Sequence, residues 1–200
     1  MSLIDLIYGT LLEPVETFRQ IGSEAKKPIR GAVLLVSFLF LFGLTIQIGG
    51  WNGAALKELG GAFSLSPGGG FYAFYTLIGL PLALVMWGIY TAICALLGNL
   101  LTGRSNPAGL LCGLAFAQLP MVFAPMMKFI GYGFGLNAVA LFGQVAVVIW
   151  VCVLQIIAIR ESLGIETAPA ISVWIIPPVV LIGGLVLLIV AAAGMIATAL

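Results

Sequence analysis

The chain has 200 residues, of which 62% are hydrophobic and only 8% charged, with a net charge of +1 and a mean hydropathy of +1.22. Soluble domains carry roughly 25% charged residues, so this composition leaves too little polar surface to face water and points to an integral membrane protein. The net charge says nothing about nucleic acid, but no basic patch is large enough to suggest it, so no nucleic-acid partner is expected.

The first element is short. Residues 2–12, SLIDLIYGTLL, set Ile4, Ile7, Tyr8, Leu11 and Leu12 on one helical face, with Ser2, Asp5 and Gly9 opposite. Pro14 interrupts this pattern and suits the first turn of a second helix, where its missing N–H costs nothing. In that helix Val15, Phe18, Ile21 and Ala25 share a face, with Glu16, Arg19, Ser23 and Lys27 turned away. Two amphipathic helices along the membrane surface fit this pattern, and so does an apolar stripe packed on the chain's own bundle. On the first reading, Val15, Phe18 and Ile21 enter the headgroup boundary while Lys26, Lys27 and Arg30 meet anionic lipid. On both, the basic cluster holds the start of the first span on the cytoplasmic side.

About 20 apolar residues cross a ~30 Å hydrocarbon core as a helix. Charge-free runs place five such spans, at about 31–50, 71–101, 107–127, 137–159 and 170–199. SPGGG before the second span reads as a flexible external connection, and GYGFGLN before the fourth as a turn. The expected fold is all-α: a polytopic transmembrane bundle of five helices over residues 31–200, preceded by a short amphipathic N-terminal segment over residues 1–30. With five spans, six basic residues fall on the side of the N-terminus and only Lys57 and Lys128 on the other. The N-terminus is therefore expected in the cytoplasm and the C-terminus outside, the membrane being the inner one if the source is a prokaryote.

Within the spans, Pro81, Pro120, Pro125, Pro177 and Pro178 are expected to break helices. Gly109, Gly113 and Ala117 form a small-residue ridge for close helix packing. Gln118, Gln144 and Gln155 are expected to make interhelical hydrogen bonds of ~0.6 kcal/mol each. Cys94, Cys112 and Cys152 sit in separate apolar runs and read as buried free thiols.

The chain has no histidine and a single aspartate, Asp5. That removes Ser-His and Cys-His nucleophile pairs, imidazole metal ligands and an intramembrane aspartyl dyad. No cofactor, no metal and no enzymatic activity are expected. A carrier would place ionisable residues near the bilayer midplane, whereas here they fall at span ends and loops.

Three phrases carry a family resemblance: LLEPVETFRQI ahead of the first span, LLGNLLTGRSNPAGLLCGLAFAQLPMVFAPM, and WVCVLQIIAIRESLGIETAPAISVWIIPPVV. In this order and spacing the chain resembles the prokaryotic branch of the Yip family, the Ypt/Rab-interacting membrane proteins. The resemblance implies a five-helix membrane domain with a cytosolic N-terminus. Eukaryotic members are linked to prenylated small GTPases and carry a longer polar N-terminal domain; only about thirty residues precede the first span here. Small GTPase binding is therefore not carried over to this chain. The expected function is membrane organisation or the binding of a membrane partner, with the lipid bilayer and a membrane protein or second copy as partners. The alternatives are a small transporter or channel component, and an accessory subunit of a larger membrane complex.

Overall fold

The computed structural model describes residues 3–24, 28–48 and 67–199. Lys26 and Lys27 lie outside the described residues, as do residues 49–66 around the end of the first expected span. Two short helices open the chain, α1 (Leu3–Leu12) and α2 (Pro14–Ser23), followed by α3 (Ile29–Ile48) and α4 (Pro67–Thr102). Then come α5 (Pro107–Phe116), a 3₁₀ turn (Leu119–Val122), α6 (Phe123–Gly133), α7 (Asn137–Leu163) and α8 (Thr167–Ala199). The described residues form an all-helical structure without strands.

Local chemistry sets several boundaries. Pro14 stands in the first turn of α2, where no intrahelical bond needs its nitrogen. α7 stops at Gly164, whose φ of 62° is left-handed; Ile165 N–H then reaches back to Arg160 C=O at 3.1 Å. α4 already begins at Pro67, so PGGG at 67–70 is helical and not the loop expected there. Pro81, Pro177 and Pro178 lie inside continuous helices, so the breaks expected there do not occur. Within apolar surroundings neighbouring turns and helices compensate a lost backbone bond, and helix is retained. Pro120 does mark a break: it sits in the 3₁₀ turn that divides α5 from α6, while Pro125 falls in the first turn of α6.

The core is built around α5. Its residues from Gly109 to Phe116 are buried apart from half-buried Leu111. Cys112, Ala115 and Phe116 join Leu6, Phe18, Ile21, Ala32, Trp87, Leu154 and Ala158 on one side. Leu110 and Leu114 join Cys94, Ala95, Ile159, Leu163, Ala170 and Val173 on the other. Around this centre the outer helices turn large apolar side chains outward, among them Leu82, Val85, Ile89 and Leu96 of α4 and Val179, Leu181 and Ile182 of α8. An exposed apolar surface of this extent is stable in hydrocarbon and not in water. Four segments are long and apolar enough to cross a membrane: Leu77–Thr102, Pro107–Lys128, Asn137–Leu163 and Thr167–Gly184. The protein is an integral membrane protein by this composition.

The small-residue ridge lies inside the bundle. Gly109, Gly113 and Ala117 are all buried, and a Cβ on Gly113 would stand 3.2 Å from Ser162 Oγ and 3.3 Å from Ala158 Cβ of α7. Gly113→Leu forces a whole side chain into this seam and is expected to cost about 1–3 kcal/mol. The purified variant should aggregate at a lower temperature; an unchanged aggregation curve would mean that α5 and α7 separate without loss.

Candidate functional site

A cluster of polar and charged groups lies at one end of the bundle, where α2, the start of α5 and the end of α7 meet. Asn106 is the joint. Its Oδ1 accepts the Gly109 N–H at 3.1 Å and caps α5, with Pro107 at the next position. Its Nδ2 donates to Gly22 C=O at 2.9 Å and to Ser162 C=O at 3.0 Å. One amide thus satisfies backbone groups from three helices. The approach is tight at Gly22, where a Cβ would meet Glu161 O at 3.1 Å and Ser162 Cα at 3.2 Å. Both neighbours are backbone and cannot turn aside.

Charged groups surround this joint. Arg19 Nε of α2 donates to Glu161 Oε2 at 3.1 Å, and Arg160 Nη2 lies 2.8 Å from Glu161 Oε1. Glu161 is nearly buried while Arg19 is largely exposed, so the α2–α7 ion pair keeps one wet end and contributes at most about 1 kcal/mol. Arg104 Nη1 donates to Gly164 C=O, closing the loop before α5 onto the turn after α7. Gly164 is left-handed, so its carbonyl points away from α7 and toward the guanidinium. The arrangement clasps backbones together. Among the described residues no group of three acidic or cysteine side chains is placed to hold a metal.

The structure distributes the residues singled out from sequence unevenly. Phe18 and Ile21 are fully buried in the main apolar cluster, and Val15 is half-buried. Phe18 and Ile21 therefore pack on the bundle, the second of the two readings of this stripe. The outward apolar stripe belongs to α1 instead: Ile4, Tyr8 and Leu12, at successive turns, are 77%, 66% and 61% exposed. The same helix buries Leu6 and Thr10, so the face expected from Ile4, Tyr8 and Leu12 is turned outward. Arg30 is exposed at the start of α3.

Gln155 Oε1 accepts the Trp174 indole N–H at 2.7 Å and links α7 to α8. Gln144 Nε2 donates to Ala140 C=O of its own helix at 3.0 Å, and the Gln118 backbone begins the 3₁₀ turn. Cys94 and Cys112 are buried and Cys152 half-buried, all as free thiols. Sequence reasoning missed Asn106 as a site residue. Its signal was present: Asn followed by Pro before an apolar run is a helix-start signature. What the signature does not contain is the pair of distant carbonyls that the same amide reaches.

The residues of this junction lie in or within two positions of the phrases LLEPVETFRQI, GRSNP and RESLG. A family model, the Yip1 domain, matches residues 8–190 and so covers all three phrases and the four apolar segments. No curated protein and no solved structure matches the chain. With nearly its whole length matched, from Tyr8 to Val190, the chain belongs to the Yip1-domain family.

Proposed function

We propose that this protein is a non-enzymatic membrane organiser that crosses the bilayer five times and presents α1 to the cytoplasmic membrane surface. The fifth crossing is α3, whose 20 residues Ile29–Ile48 carry one charge, Arg30, at the first turn. That length suits a ~30 Å core. The supporting arrangement for orientation is that Arg19, Arg104 and Arg160 meet at one end of the bundle. Basic residues concentrate on cytoplasmic flanks.

The observation that carries the reading is the face of α1. Ile4, Tyr8 and Leu12 point outward from a helix that α2 holds against the folded core. A small apolar stripe on the outside of a bundle is suited to the headgroup boundary or to an apolar partner lying there. Transport has less support, since the charged groups of the described spans fall at their ends.

A spin label at Tyr8 tests this in vesicles. It should be relaxed more by lipid-soluble oxygen than by a water-soluble nickel chelate, and a label at Arg19 should show the opposite order. Equal exposure of both labels to the chelate would remove α1 from the membrane surface and overturn the proposal.

A further inference from the structure

Far from the Asn106 junction, a cleft of about 260 Å³ opens between α3, α6 and α7. Leu39, Phe42 and Gly43 form one wall, Met121 and Pro125 another, and Lys128 and Gln144 are its polar members. Lys128 ends the apolar segment Pro107–Lys128, and Gln144 lies in the first third of α7. Both are therefore distant along their helices from the arginines at the other end.

Two features set this cleft apart. First, the described carboxylates lie elsewhere: Asp5, Glu13, Glu16 and Glu24 on or beside α1 and α2, Glu161 and Glu166 around the α7–α8 turn. Among the described residues the Lys128 ammonium thus has no carboxylate beside it, and it makes no ion pair there. Second, Gln144 spends one N–H on Ala140 C=O. Its second N–H and its carbonyl remain for a ligand in the cleft. A lone cation at a membrane boundary, flanked by an amide and backed by Phe42 and Leu39, has the chemistry of an anionic amphiphile site.

We infer that this cleft binds the phosphate of an anionic glycerophospholipid. The phosphate meets Lys128, a glycerol oxygen meets the Gln144 amide, and one acyl chain leaves along Leu39 and Phe42 into the surrounding bilayer. The cleft admits a headgroup and the start of a chain, while the rest of the lipid remains in the membrane.

The site is tested on the full-length protein by native mass spectrometry after delipidation. Phosphatidylglycerol, phosphatidylcholine and inorganic phosphate are added separately and in competition. The wild type should retain phosphatidylglycerol in preference to phosphatidylcholine, and inorganic phosphate should not displace it. Lys128→Gln should lower retention about fivefold, the change equivalent to ~1 kcal/mol for one basic residue at an anionic surface. Lys128→Arg and Lys57→Gln should leave it unchanged. Lys128 is exposed, so its two variants keep the fold, and equal melting temperatures verify it for all the variants.

Equal retention by wild type and Lys128→Gln would overturn the site and leave Lys128 as a side chain that merely reaches for water. Displacement by inorganic phosphate would overturn the lipid and assign the cleft to a soluble anion. Retention that appears only after Glu58→Gln would show that the chain supplies its own counter-ion, which also overturns the proposal.

Discussion

Purified Phe18→Asp protein should melt well below the wild type, with α2 and the bundle failing together. Phe18 is 0% exposed and shares its cluster with Leu6, Ile21, Cys112, Phe116 and Leu154. Removing a buried phenyl ring alone costs about 3–5 kcal/mol, and a carboxylate in its place adds several kcal/mol of desolvation. A total of this size approaches the ~5–15 kcal/mol that holds a typical domain together. Phe18→Leu keeps the apolar contact and should lose only about 1–1.5 kcal/mol. A spin label at Gln20, read alongside thermal aggregation, separates the two ways of failing. Faster label motion with unchanged core melting would show that α2 is a detachable strap, and its place in the core would have to be abandoned.

Asn106→Ala is expected to cost about 3 kcal/mol, from a helix cap worth ~1 kcal/mol and two further hydrogen bonds of ~1 kcal/mol each. Asn106→Asp should be no better at neutral pH. It keeps the acceptor for Gly109 N–H but sets a carboxylate against the Gly22 and Ser162 carbonyls, which need a donor. Hydrogen exchange gives the more specific readout. In the alanine variant, protection should fall at the start of α5 and at the end of α2 together, since one amide serves both. Loss confined to the first turn of α5 would reduce Asn106 to an ordinary cap.

The residues that make helices were legible in the sequence, while those that join helices were much less so. Pro14 marked the start of α2, and the spacing of Val15, Phe18 and Ile21 gave its apolar face. Where that face goes was open, because lipid and a protein core attract the same side chains. Membrane surroundings also weaken the usual punctuation. Pro81, Pro177 and Pro178 read as breaks by the rules for water, yet α4 and α8 run through them. Gly113 was legible as a packing position, but its neighbours Ala158 and Ser162 lie in a helix 45 or more positions away. Asn106 shows the limit most plainly. Its local role follows from the following proline, and its two long-range bonds follow only from the fold that brings Gly22 and Ser162 beside it.

The division of the Pro107–Lys128 segment bears on the order in which the chain can settle into a bilayer. α5 has ten residues, ~15 Å of helix, which is about half of a hydrocarbon core. At the 3₁₀ turn its last carbonyls have fewer helical partners, and lipid offers none. Half of the segment's apolar window is buried in the protein, against 17% for the corresponding window of α4. α4 is thus the more self-sufficient segment, turned to lipid over most of its surface. The broken segment reaches its final environment only when α7 arrives to cover Gly113 and Asn106 finds Ser162. The buried faces of this segment are therefore completed by a helix that follows it in sequence, and α5 has its full set of contacts only when α7 is in place.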